Sequence, residues 1–336
     1  MLVGLTYDLR KDYLNRGYSK EETAEFDKEE TIVAIESTLA ELRYNTIRIG
    51  NIWDLVKRLI DGETWDLVFN IAEGMFGIGR EAQVPALLDA YNIPYVFSDP
   101  LVLALTLHKG MTKHVIRDLG VPTPDFAEIN TEADISKIRL PFPLFVKPVA
   151  EGTGKGINAS SLIRSEDELY SMSAYLLKTF NQPVLVETYL PGREFTVGII
   201  GTGAGARAIG TVEVILRSHA EENVYSYENK EHYEVNVVYE PVFGEVKAKV
   251  EEVALAAWRG LGCMDAGRVD LREDSNGVPN FMEVNPLAGI NPICSDLPIL
   301  SRLHGIDYKQ LMSMIMDQAI ARLGGRIKSK SAAIKL

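Results

Sequence analysis

The apolar positions of the first 120 residues switch repeatedly between short continuous runs and a spacing of three to four, the mark of strands alternating with helices. Met1–Tyr7 forms a short apolar run of strand type, followed by helix-spaced Ile32, Ile35, Leu39 and Leu42. NTIRIG returns a strand, and Asn51 is placed to cap a helix carrying Ile52, Leu55, Val56, Leu59 and Ile60, closed by Gly62. WDLVFNIA (65–72) reads as a buried strand and EAQVPALLDAY (81–91) as a helix; Ser98-Asp99-Pro100 then opens one long helix to about Gly120. This alternation predicts right-handed βαβ units on a parallel sheet, whose ligands sit beyond the carboxyl ends of the strands. That places a site near residues 7–30 and 70–80.

Beyond residue 120 the pattern changes. VPTPDF reads as a proline-punctuated linker, PLFVKP (143–148) and PVLVETYL (183–190) as strands, and Ser165-x-x-Glu168 as a capping box opening a helix to about Lys178. Strands dominate from 194 to a helix at about 246–261; strands at 264–272 and 278–285 and two helices follow. The basic end, RIKSKSAAIKL, reads as a solvated tail.

Composition narrows the classes. Among 336 residues, 46% are hydrophobic and 24% charged, with 35 Lys and Arg against 47 Asp and Glu and a net charge of −12. An acidic chain is poorly suited to nucleic acid, so any anionic ligand must be held by a few local cations. Cys263 and Cys294 supply neither a disulfide framework nor a zinc spacing, and the five histidines do not cluster. No apolar run approaches membrane-spanning length, and MLVGLTYDLRKDY is not of secretory type, so a cytoplasmic enzyme is expected.

Three glycine clusters could hold phosphate. GTGAGAR (201–207) lies between strand-like runs and reads as a hairpin turn; GMFGIG (74–79) precedes a helix and is either an anion site or a plain loop. GTGKG (152–156) joins two strands, and with Lys147 before it forms the best phosphate cradle in the chain. Near the C-terminus, alternation in GRVDL puts Arg268 and Asp270 on one face, and alternation in MEVNP does the same for Glu283 and Asn285. The DSNG turn between them suggests a hairpin whose polar face gathers hard oxygen ligands of the kind Mg²⁺ takes, or else a solvated surface hairpin.

The order of these pieces resembles the ATP-grasp superfamily, and within it the D-alanine–D-alanine ligases, over nearly the whole chain. Single motifs such as VKP or GRVD are weak; their joint order and spacing is strong. The resemblance implies an α/β N-terminal domain (1–108), a central subdomain with the glycine loop (109–190), a C-terminal catalytic subdomain (191–325) and the tail (326–336). It implies that Lys109, Lys147 and Lys230 contact ATP phosphates, and that Thr153, Gly154, Lys155, Gly156 and Ile157 close over them. Glu187, Thr188, Tyr189 and Leu190 would read adenine, Glu194 the ribose, and Phe281 would complete the nucleotide site. Asp270, Glu283 and Asn285 would hold two Mg²⁺ ions, with Mn²⁺ as a substitute, while Arg268 and the Gly289 N–H stabilise an oxyanion.

The implied activity is ligation of an amino-acid-type carboxylate to an amine through an acyl phosphate, in a homodimer, with no nucleic-acid or membrane partner. Two other readings are a D-alanine–D-alanine ligase in the strict sense and a nucleotide-binding regulator that has lost turnover. The substrate-facing positions depart from the family. Lys155 stands in the glycine loop, Asn70, Glu73 and Gly74 follow the third strand with no histidine, and Glu231 follows the phosphate lysine. Asp27, with Glu29 as the other register, matches the substrate-binding glutamate carried by the family's first helix, and Cys294 and Ser295 stand at the acceptor segment. Cys294 is either part of that segment or a small buried filler.

Overall fold

The computed structural model describes residues 1–216 and 237–328. Strands β1 (Leu2–Thr6), β2 (Asn45–Gly50) and β3 (Leu67–Asn70) form the expected parallel sheet in the order β2-β1-β3. The chain at 94–96 adds only a bridge to β3, through Val68 N–H to Pro94 O and Val96 N–H to Val68 O. Helix α1 (Arg10–Asn15) and α2 (Glu29–Glu41) follow β1, and α2 buries Ile32, Ile35 and Leu39. Helix α3 (Ile52–Ile60) starts at Asn51, whose side chain accepts from the Trp53 and Asp54 N–H groups. Helix α4 (Gln83–Ala90) follows the 74–82 loop.

The single long helix expected after Pro100 is two helices, α5 (Pro100–Leu107) and α6 (Lys109–Asp118). They break at His108, which leaves helical geometry (φ −86°, ψ 91°) and uses its imidazole to cap α6 at Met111 N–H. The break lets Lys109 N–H donate to Val149 O, which pins the start of α6 to the end of the next sheet.

That sheet contains β4 (Phe126–Ile129), β5 (Leu144–Pro148), β6 (Leu162–Ile163) and β7 (Val184–Thr188) in the order β4-β7-β5-β6. It is backed by α7 (Glu132–Ile135) and α8 (Glu166–Phe180), the latter capped by Ser165. The largest sheet is antiparallel, with β8 (Glu194–Ile200), β9 (Arg207–Leu216), β10 (Val237–Pro241), β11 (Ala266–Glu273) and β12 (Pro279–Asn285) in the order β10-β9-β8-β11-β12. Residues 201–206 are the β8–β9 connection, as expected of GTGAGAR. Helix α9 (Gly244–Gly260) closes one face of this sheet with a fully buried Trp258.

Helices α10 (Asp296–Leu303) and α11 (Tyr308–Lys328) close the other face. Their Leu297, Leu300, Leu311 and Ile315 share one core with Leu5, Ile32 and Phe69 of the N-terminal region. Burying a side chain of this size is worth about 1.5–3 kcal/mol, so this shared core fixes the parallel sheet against the antiparallel one. The VPTPDF segment is strapped to the large sheet, since Pro122 O accepts from Phe281 N–H and Thr123 Oγ1 donates to Phe281 O. Among the described residues no helix is long and apolar enough to cross a membrane.

Candidate functional site

β11 and β12 pair as the alternation requires, with Arg268 opposite Asn285 and Asp270 opposite Glu283. Two hollows flank this hairpin. A chamber of about 690 Å³ lies toward the parallel sheet and is lined by Asp27, Glu73, Lys109, Asn285, Gly289 and Cys294, among others. A slot of about 100 Å³ lies toward the central sheet, lined by Lys147, Thr153, Gly154, Ile157, Tyr189 and Glu194, among others. Arg268, Glu283 and Lys109 line both. The hairpin is therefore the partition between them, not a solvated surface element.

On that partition Asp270 accepts from Thr196 Oγ1 (2.9 Å) and Asn285 Nδ2 (3.3 Å) and pairs with Arg268 Nη1 at 2.7 Å. Arg268 also reaches Asp296 at 3.0 Å, and Asp296 accepts from the Tyr239 hydroxyl. Glu283 lies 3.6 Å from Lys109 Nζ. Among the described residues no three His, Cys, Asp or Glu side chains form a cage. Two carboxylates and an amide oxygen on paired strands still suit Mg²⁺, which keeps waters and phosphate oxygens in its shell.

The nucleotide-side cations are organised by a buried triad. Glu187 has no exposed surface and pairs with Lys113 at 2.6 Å and Lys147 at 2.8 Å. Burial alone would raise the Glu187 pKa, but the two ammonium groups hold it below the usual range. Burial pushes Lys113 down to about 8 against the pull of Glu187. For Lys147 the same burial is outweighed by Glu187 and Glu283, so it stays above the usual range. Lys113, which also donates to Thr123 Oγ1, is absent from the sequence-based site; its only signal there is its place one helical turn after Lys109.

Thr188 and Leu190 line the slot, where Arg272 stacks on the Tyr189 ring and lies 3.4 Å from Glu194. Phe281 does not line it. Its ring is fully buried in the core opposite Leu271, so Met282 takes its place on the wall. The bulge after Asp270 sets this register.

Lys155 also departs from expectation, and Gly156 beside it lines neither hollow. The Lys155 ammonium turns to Glu151 and to Glu25, 3.2 Å away, instead of into the slot. Glu25 further accepts from Gly152 N–H and pairs with Arg80 at 2.9 Å, while Arg80 donates to Ala150 O. A Cβ on Gly152 would stand 2.5 Å from Glu25 Oε1, so glycine is required for this approach. The glycine loop is thus buttoned down by the segment before α2.

In the chamber, Asp27 precedes α2 and Glu73 follows β3, both on the wall. Glu29, the alternative register, is drawn outward to Arg48. Cys294 is exposed at the wall rather than a buried filler, and the Ser295 hydroxyl accepts from Asn291 N–H. A Cβ on Gly289 would lie 2.7 Å from Ser295 Oγ, so a side chain there would turn the serine hydroxyl away from Asn291 N–H. Residues 74–79 line neither hollow, and Gly74 N–H is committed to Asp8, so GMFGIG acts as a plain loop. Lys230 and Glu231 lie outside the described residues.

Burial raises Asp27 and Glu81 to about 7 each. A carboxyl raised in the native state holds a proton that the unfolded chain releases, so its stabilising effect is complete below about pH 4 and fades as pH rises to 7. Glu81→Gln should therefore leave the melting temperature of the ligand-free protein unchanged near pH 4.5 and raise it progressively toward pH 8. A difference independent of pH, read by thermal melts across that range, would contradict the assignment.

The family model described as D-ala D-ala ligase C-terminus matches residues 115–317. The D-alanine–D-alanine ligase of Bordetella avium is 31% identical over 268 residues, 79% of this chain and 81% of that one. The Aquifex aeolicus D-alanine–D-alanine ligase is also 31% identical, over 84% of this chain and 92% of its own. Among solved structures, the Bacillus anthracis D-alanine–D-alanine ligase complexed with ATP superposes with a TM-score of 0.71 at 25% identity, over 98% of this chain and 99% of that one. The chain belongs to the D-alanine–D-alanine ligase family of ATP-grasp enzymes.

Proposed function

We propose that this chain uses ATP to join an amino-acid-type carboxylate to an amine, releasing ADP and phosphate through an acyl phosphate. The observation that carries this reading is the partition itself, with Asp270, Glu283, Asn285 and Arg268 between a cation-lined slot and a substrate-sized chamber. A carboxylate is a poor acyl donor because its leaving group would be oxide; phosphorylation supplies a better one. Phosphoryl transfer is mostly positioning and charge neutralisation.

Lys147 and Lys109 supply positive charge on the slot side, each contact worth about 4 kcal/mol before desolvation at 4 Å and an effective dielectric near 20. Asp270, Glu283 and Asn285 would hold Mg²⁺, which when bound neutralises phosphate charge. Glu187 and Lys113 keep Lys147 oriented, and Glu194 faces the ribose. Asp296 and Asp270 hold the Arg268 guanidinium at the partition, on the chamber wall. There it and the Gly289 N–H can receive the oxyanion that develops when the amine attacks. The glycine loop, buttoned by Glu25, excludes water from the acyl phosphate.

The chamber wall, with Glu73 and Cys294, is unlike that expected for a pair of D-alanines. Phosphate release with an amino-acid panel, together with product masses, tests the reading. A condensed product accompanied by ADP is expected, with saturating D-alanine as both substrates much slower than the best pair. A turnover of order 10 s⁻¹ with D-alanine alone would instead make this a D-alanine–D-alanine ligase in the strict sense. ATP binding without turnover on any pair would make it a silent regulator.

A further inference from the structure

Most charges around the chamber cancel locally. Glu25 is met by Arg80 and Lys155, Glu151 by Lys155, Asp296 by Arg268, and Glu283 by Lys109. Three half-buried carboxylates remain on the chamber wall, Asp27 before α2 and Glu73 and Glu81 in the connection between β3 and α4; Glu30, also on the wall, is exposed. Asp27 is hydrogen-bonded to the Thr31 hydroxyl, but among the described residues none of the three has a cation within ion-pair distance. Lys28 is exposed at the rim, and Arg10 donates to Lys20 O.

Glu73 is raised well above its usual value by burial and then by the nearby Glu81 and Glu25, against the pull of Arg80; Glu81 is raised by burial and Glu25 against the more distant Arg80 and Lys109. The three carboxylates do not converge on a metal-sized point. What relieves three separated carboxylates is an organic molecule with ammonium or guanidinium groups at more than one place. One carboxylate serves the α-ammonium that any amino acid carries, which leaves the others for a second positive group.

We propose that one of the two substrates is a dibasic amino acid, with a side chain ending in an amine or guanidinium that lies against Glu73 and Glu81. This rests on the ligase reading above and names the substrate class it takes. A neutral side chain of the same length would leave these two half-buried carboxyl groups protonated and without an ionic partner. Sites built for a polar partner reject analogues lacking it for that reason.

The test compares lysine, ornithine and arginine with norleucine, alanine and glutamate. Each is supplied alone and in pairs, in both stereoisomers, with ADP formation and product mass as readouts. In parallel, lysine and norleucine are compared as thermal stabilisers of the protein with ADP and Mg²⁺. A dibasic substrate should exceed norleucine in kcat/KM by roughly 10- to 100-fold, the scale of a lost charged hydrogen bond, and only the dibasic should raise the melting temperature. Glu73→Gln/Glu81→Gln should shrink that preference to within about threefold, with the dissociation constant for ATP unchanged; Glu81→Gln alone should shrink it part-way.

Turnover with alanine or norleucine equal to that with the dibasic set would overturn the substrate class while leaving the ligase reading intact. A dibasic preference untouched by either variant would overturn Glu73 and Glu81 as the groups that the second positive charge meets. If no amino acid supports ADP formation, the ligase reading itself fails, and equal stabilisation by lysine and norleucine would then also remove the dibasic pocket.

Discussion

Glu283→Gln is expected to abolish Mg²⁺-dependent turnover, lowering kcat by at least about 10³-fold. Glu283 stands on the partition between slot and chamber, opposite Asp270 and 3.6 Å from Lys109. Its side chain is 26% exposed, so the isosteric amide should leave the fold intact. What it removes is one of the two carboxylates available to balance a divalent cation beside phosphate. Melting temperature and circular dichroism should match the parent while turnover disappears at any Mg²⁺ concentration. A variant with parental kcat would remove the metal site from the β11–β12 hairpin.

Lys147→Met should separate catalysis from stability. The triad of Lys113, Glu187 and Lys147 carries one net positive charge, so deleting Lys147 leaves Lys113 and Glu187 as a neutral buried pair. The fold should survive. The charge facing the slot is lost, and ATP turnover should fall by about 30- to 1,000-fold, or roughly 2–4 kcal/mol of transition-state stabilisation.

Glu187→Gln should do the reverse to stability. It strands two buried ammonium groups and should cost about 3–5 kcal/mol, the scale of a broken buried pair. Urea melts and initial rates on both variants decide it. Equal destabilisation by the two, or normal kinetics in Lys147→Met, would show that Lys147 is structural and does not meet ATP.

The parts of the site legible in the sequence are those set by local periodicity. Alternation with a period of two is enough to put Arg268, Asp270, Glu283 and Asn285 on one face, because β11 and β12 are joined by a short turn and each has a buried opposite face. The parallel β2-β1-β3 sheet is legible for a different local reason, the alternation of short apolar runs with helix-spaced segments. The break at His108 is not, since Leu107 and Lys109 are ordinary helix formers and the interruption comes from a tertiary bond, Lys109 N–H to Val149 O.

Side-chain direction at long range is equally hidden. Lys155 looks like a phosphate ligand inside a glycine loop, but its partner Glu25 lies 130 residues away in sequence. Lys113 and Asp296 carry no motif of their own because each acts by holding another residue, Glu187 or Arg268. Strand alternation alone would keep Phe281 on the face of Glu283, but the bulge and the neighbouring sheet place its ring in the core.

The central claim is that a substrate carboxylate attacks the terminal phosphate of ATP. Supplying the preferred amino-acid donor with both carboxyl oxygens labelled as ¹⁸O, and weighing the phosphate released, tests it most directly. Carboxylate activation by phosphorylation transfers one ¹⁸O into each inorganic phosphate, with ADP and the amide product formed in equal amounts. Unlabelled phosphate would show that water, not the carboxylate, takes the phosphoryl group, and label appearing in AMP would mean activation by adenylation; either result contradicts the account.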